Sequence, residues 1–138
     1  MKLHILARGR IGRCAEAELV TRYASRMRGL LAVTELSESA PFPAAPPAAR
    51  TVVLDERGKD LSSTELAALL GRWRDSGTRE VRFLLGAADG HDEATRGSAD
   101  LLLGLGRATW PHMLARAMLA EQLYRATTIL DGHPYHRE

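Results

Sequence analysis

Three short runs of branched and apolar residues, RTVVLD (50–55), EVRFLL (80–85) and DLLLGLG (100–106), constrain the fold more than anything else in the chain. Runs this continuous are typical of strands buried on both faces, which pair in parallel. Between the first two lies SSTELAALLGRWRDSG (62–77). There Ser62 and Glu65 spell a capping box and Gly77 closes the pattern, so a helix separates the strands. HDEATRGSA (91–99) has room for one short helix before the third run. Strands alternating with helices specify an α/β fold, a mostly parallel sheet with helices on both faces.

The flanks extend the alternation. Leu3, Ile5 and Ala7 alternate with polar neighbours as a first strand ending at Gly9, and Leu19, Tyr23 and Met27 recur every four residues, a helix over Ala15 to Met27. Leu31 and Val33 offer a short second strand. APFPAAPPAA (40–49) holds four prolines, which exclude helix interior and central strand and leave an extended surface connection. Pro111 stands where a last helix begins, and Leu114, Met118, Leu119, Leu123, Ala126 and Leu130 form its stripe. Tyr124 and Arg125 lie off that stripe, as expected of a helix that also serves a dimer interface. With 138 residues, 45% of them hydrophobic, residues 1–138 are expected to form one domain with its own core.

No apolar run approaches the eighteen or so residues of a membrane span. Arg8 and Arg10 interrupt the N-terminal stretch too early for a secretory segment, and the single Cys14 offers neither a disulfide nor metal-ligand spacing. The expectation is a cytoplasmic protein with no membrane and no metal. Net charge is only +2, but residues 1–28 carry Lys2, Arg8, Arg10, Arg13, Arg22, Arg26 and Arg28 against Glu16 and Glu18. A positive segment on a near-neutral body is the footprint of a polyanion partner; a solvated helix face has the same composition.

In open parallel sheets, ligands bind beyond the carboxyl ends of the strands. The three exits here read Leu54-Asp55, Leu85-Gly86-Ala87 and Leu103-Gly104-Leu105-Gly106. Glycine at two of them lets main chain approach a ligand without a Cβ in the way, although glycine also simply ends strands. No phosphate-cradling glycine motif is present, which disfavours a dinucleotide or nucleoside triphosphate. His112 and the free amides of the last helix are expected to face the same pocket, with Arg116 one turn further on that side. A capping or packing role is the alternative for His112. HPYHRE (133–138) then collects two histidines, a tyrosine and an arginine, too varied for a plain charged tail or a repetitive tag.

TWPHMLARAMLAEQLYRATTILDGHPYHRE (109–138), VVLDERGKDLSSTELAALLGRW (52–73) and VRFLLGAADG (81–90), with a weaker echo in MKLHILARGR, resemble the bacterial ribosomal RNA large subunit methyltransferase H family of SPOUT methyltransferases. The resemblance runs in order over residues 51–138, with E-x-L-Y-R-A and H-P-Y-H-R-E as its most distinctive pieces. It implies a C-terminal trefoil knot over about residues 80–138, a homodimer, and S-adenosyl-L-methionine bound in the knot. The implied substrate is N3 of pseudouridine 1915 in helix 69 of 23S rRNA, in the ribosome. Carried over position by position, cofactor contacts fall on Leu54, Gly86, Leu105, Gly106, Arg107, Ala108, Thr109 and Trp110. The tail then supplies His133 or His136 as a base (water being the alternative), Tyr135 as a stacking surface or hydroxyl, and Arg137 as a cation. It is expected to pack beside the cofactor pocket and complete a site shared with the partner subunit; a clasp that merely seals the dimer is the alternative.

The chain departs from the family where G-G-P-E-G becomes Gly86-Ala87-Ala88-Asp89-Gly90, and where a basic helical segment is replaced by the proline-rich stretch. RNA contacts from that segment would pass to the arginines of residues 8–28. Competing functions are a non-catalytic ribosome-binding assembly factor and a SPOUT methyltransferase acting on another RNA position.

Overall fold

Leu3, Ile5, Leu6 and Ala7 are all buried, so the first strand is covered on both faces rather than one. In the computed structural model, which describes residues 1–87 and 90–137, this strand is β1 (Lys2–Arg8). Then follow α1 (Ala15–Arg26), β2 (Leu31–Leu36), β3 (Ala49–Asp60), α2 (Ser63–Asp75), β4 (Glu80–Leu85), α3 (Glu93–Gly97), β5 (Leu101–Gly104) and α4 (His112–Asp131). The strands form one sheet in the order β2-β1-β4-β3-β5, every neighbouring pair parallel. The expected capping box opens α2, with Ser62 Oγ accepting from the Glu65 amide and Glu65 Oε1 accepting from the Ser62 amide.

One face of the sheet carries the main core. Val20 and Met27, then Leu66, Ala67 and Leu70 of α2, and Leu119, Ala120, Leu123 and Ala126 of α4 close over Ile5, Val52, Phe83 and Leu103. The other face, Leu6, Val53 and Leu84 with Leu102 beside them, is covered by Phe42 and Ala99. The proline-rich stretch is thus more than a surface connection. Its prolines keep it extended, and Phe42 from its middle caps the sheet. Arg8 stacks over the Phe42 ring at 4.3 Å and donates to the Ala40 carbonyl, while Arg82 donates to that of Pro43.

β3 is longer than the expected strand because its register slips: Leu54 and Lys59 both stand opposite Leu103. The intervening residues bulge out of the ladder and re-aim their side chains, as bulges do. Gly58 makes this possible. A Cβ there would lie 2.6 Å from the carbonyl carbon of Leu103 and 2.7 Å from that of Leu102, so the β3 backbone rests directly on β5.

Candidate functional site

The carboxyl ends of β3, β4 and β5, adjacent in the sheet, open into a cavity of about 450 Å³. Seven of the eight positions carried over from the resemblance line it: Leu54, Gly86, Leu105, Gly106, Ala108, Thr109 and Trp110. Arg107 does not. It is exposed and stands off the wall that Gly106 and Ala108 line on either side of it. The volume lies within the range of sites that engulf a small organic ligand.

The loop from Leu105 to Trp110 is held open by two hydrogen bonds. The Gly106 amide donates to Asp60 Oδ1 at 3.0 Å, and the Trp110 indole N–H donates to the Leu105 carbonyl at 2.9 Å. Gly106 has φ +98°, a conformation that favours glycine, and a Cβ there would meet nothing within 4 Å. Glycine is required here by the backbone conformation, and the space beside it is open. At Gly86 the reason differs: a Cβ would lie 2.7 Å from the Gly90 carbonyl oxygen, so glycine there makes room for the chain's own turn. Ala88 and Asp89, two of the residues that depart from the family pattern, lie outside the described residues.

Polar groups gather on one wall. The bulge of β3 aims Asp55, Glu56 and Arg57 into the cavity, and Asp55 Oδ2 pairs with Arg96 Nε of α3 at 2.7 Å. Burial opposes ionisation of Asp55, but the Arg57 amide, Arg96 and Arg57 outweigh it and hold the carboxyl below its usual range. His91 stands beside them, its Nε2 accepting from the Gly86 amide at 3.1 Å. His112 lines the rim at the start of α4, as expected. Among the described residues, no group of three or more His, Cys, Asp and Glu side chains is placed to hold a metal ion. No helix among them is long and apolar enough to cross a membrane.

One expectation needs correction. Arg116 does not extend the pocket. It is 2% exposed and turned to the other side of α4, donating to Glu35 and to the Gly9 carbonyl, because that carbonyl and carboxylate are the acceptors within reach. Within one chain the tail docks on the distal half of α4 rather than on that chain's cavity. Tyr135 sits edge-on against Tyr124 at 4.6 Å, lies under the Arg125 guanidinium and donates to Glu121. His133 Nδ1 accepts from the Tyr135 amide; His136 is half-buried and Arg137 exposed. Glu121 follows His112 by nine residues, about 14 Å along a helix, and Gly132, with φ +71°, ends α4 and turns the chain back along it. Burial, a hydrogen bond that Tyr135 donates toward Tyr23 and the neighbouring Glu121 push the Tyr135 hydroxyl up to about 12, so it stays protonated at neutral pH.

Asp55, Asp60, His91 and Arg96 are absent from the sequence-derived set. Asp55 was within reach, since it directly follows a strand end, where ligand-facing residues concentrate. The other three depend on how α3 and the β3 extension fold back, which no local pattern announces.

A parallel sheet whose adjoining exits enclose a small-molecule cavity is what a SPOUT methyltransferase requires, and the family model described as "Predicted SPOUT methyltransferase" matches residues 35–136. Ribosomal RNA large subunit methyltransferase H of Novosphingobium aromaticivorans is 66% identical over 100% of this chain and 99% of its own length. Its counterpart in Erythrobacter litoralis is 63% identical over 99% of each chain, and that of Paramagnetospirillum magneticum 45% identical over 99% of each. The chain belongs to the ribosomal RNA large subunit methyltransferase H family.

Proposed function

We propose that this protein, a cytoplasmic homodimer, methylates N3 of the helix 69 pseudouridine in 23S rRNA, with S-adenosyl-L-methionine as methyl donor. The observation that carries the reading is the convergence of three strand exits on one cavity, lined at seven of the eight positions that the family resemblance assigns to the donor. The residues fit such a group. Gly106 leaves open main chain, Leu54, Leu85, Leu103 and Leu105 supply apolar walls, and Glu56 supplies negative charge for a sulfonium or an ammonium.

When bound, the donor supplies an electrophilic methyl carbon on a sulfonium. The protein's own task is positioning, which can contribute roughly 7 to 11 kcal/mol to such a displacement. N3 must lose its proton, and His133 or His136 of the tail would accept it at an imidazole nitrogen. Arg137 would stabilise the resulting imide anion. Tyr135, protonated and already packed on Tyr124, orients the tail and is not the base. Since each tail docks on the distal half of its own α4, it would serve the pocket of the partner subunit. Exposed Arg10, Arg13, Arg22 and Arg26 would meet RNA phosphates.

Deleting residues 133–138 tests the scheme. The truncated protein should remain a dimer and bind S-adenosyl-L-methionine in calorimetry, yet fail to methylate ribosomes. Full activity after truncation would overturn the role of the tail. Mass mapping of 23S rRNA from cells lacking the gene should show one methyl lost from helix 69; loss elsewhere would reassign the substrate.

A further inference from the structure

His91 belongs to no motif used above, yet it stands where the β4 exit meets the cavity. Its Nε2 accepts the Gly86 N–H at 3.1 Å. An imidazole nitrogen that accepts carries no proton, so the ring in this arrangement is neutral with its proton on Nδ1. The bond closes a tight turn: the Gly90 amide donates to the Ala87 carbonyl at 2.9 Å, and the Gly90 carbonyl fills the place a side chain would take at residue 86. Gly86, Ala87, Gly90 and His91 all face the cavity, so the turn's shape is part of the cavity's shape.

We propose that His91 is a positioning residue of the donor pocket, whose unprotonated Nε2 holds the Gly86 amide so that S-adenosyl-L-methionine binds well only while the ring is neutral. This rests on the donor reading above. A proton on Nε2 would set N–H against N–H, so the imidazolium and the Gly86 hydrogen bond exclude each other. The surroundings favour the neutral ring. Phe42 packs on it at 5.7 Å between centroids, and burial together with the Arg8 guanidinium lowers its pKa below 6.5, against the opposing pull of Asp55. Asp55 is itself bound to Arg96 of α3, and Asp92, the next residue along, is committed to capping α3 through the Thr95 amide. These commitments limit the pull of the two carboxylates, and burial with Arg8 outweighs both Asp55 and the Leu84 and Leu54 carbonyls, which favour the protonated ring.

The test compares wild type, His91→Gln and His91→Leu in calorimetry with S-adenosyl-L-methionine from pH 5 to 8. Gln places an amide oxygen near the position of Nε2 and accepts at every pH; Leu accepts at none. Wild-type affinity should fall about tenfold on acidification, the worth of one such bond. His91→Gln should keep most of its affinity with a flatter profile, and His91→Leu should be weakened throughout. Glu56 and His112, also on the cavity wall, are common to all three proteins, so the difference between profiles isolates His91. Equal profiles for wild type and His91→Gln, or full affinity in His91→Leu, would overturn the proposal. If no folded variant binds the donor, the donor reading fails, and the amide resonance of Gly86 decides for His91 alone. A Gly86 shift that follows the His91 titration in wild type and vanishes in His91→Gln upholds the positioning role, and one indifferent to it refutes it.

Discussion

Glu35 and Arg116 form an ion pair whose two ends live in different solvents, and the asymmetry fixes what each deletion costs. The Arg116 side chain is 2% exposed and that of Glu35 36%. Burial opposes ionisation of Glu35, but the Ile11 amide, Arg116 and nearby Arg10 outweigh it, so the carboxyl lies below its usual range and is ionised at neutral pH. Glu35→Ala strands a guanidinium inside the protein, where it still donates to the Gly9 carbonyl. Breaking a buried pair this way costs about 3 to 5 kcal/mol, and the lower figure applies because water reaches the vacated side. Arg116→Met keeps most of the volume, returns Glu35 to water and orphans one buried carbonyl, which costs about 1 to 2 kcal/mol. At about 4 °C per kcal/mol for a chain of this size, the melting temperatures should drop by about 12 °C and about 6 °C. The double variant has no stranded charge, so it should be more stable than Glu35→Ala alone by about 1 kcal/mol. Urea denaturation of the four proteins measures all three values. If the double variant is no more stable than Glu35→Ala, the stranded guanidinium is not the source of the loss.

Gly58→Ala places its Cβ 2.6 Å from the β5 backbone and must push β3 and β5 apart, costing about 3 kcal/mol or more in urea denaturation. Gly97→Ala, helical and with nothing within 4 Å, should stabilise by about 0.5 kcal/mol. Asp60→Ala frees the Gly106 amide, and on the proposed reading calorimetry should show S-adenosyl-L-methionine bound about tenfold more weakly, with little change in melting. Burial lowers the pKa of both His4 and His91 below 6.5, so below that pH the unfolded chain binds protons that the folded one refuses. Stability should therefore decline as pH falls from about 6.5 through the two folded-state values, and fall further when Glu35 and Asp55 begin to protonate. A melting temperature flat from pH 7 to pH 5 would contradict the histidine contribution.

The strands and helices were legible because each is specified locally. RTVVLD and EVRFLL are continuous apolar runs, and Ser62 with Glu65 marks the start of α2 within a residue. What local pattern misjudged was partnership. Leu6 reads as an interruption in an alternating strand, yet it is the floor of a second core, because Phe42, 36 residues away, returns to cover it. Arg116 reads as one turn further along the pocket side, yet it is among the most buried side chains, because Gly9 and Glu35 provide acceptors that a helical wheel cannot display.

The candidate site divides along the same line. Gly106, Ala108, Thr109 and Trp110 occupy one short loop whose shape follows from a glycine at positive φ and two nearby hydrogen bonds, so sequence and structure give it one address. The polar wall opposite is built by distant segments: the β3 bulge, which Gly58 permits by letting two backbones touch, contributes Asp55, and α3 contributes Arg96. α4 separates the two halves of the proposed chemistry, with His112 at the cavity and the Tyr135 dock at Glu121 farther along. A helix cannot bend that gap closed without breaking its own hydrogen bonds, so a donor in the cavity and a base on the tail are compatible only if they come from different copies of the chain. On the proposed scheme the chemistry needs the homodimer, and a monomeric variant that still binds donor should methylate nothing.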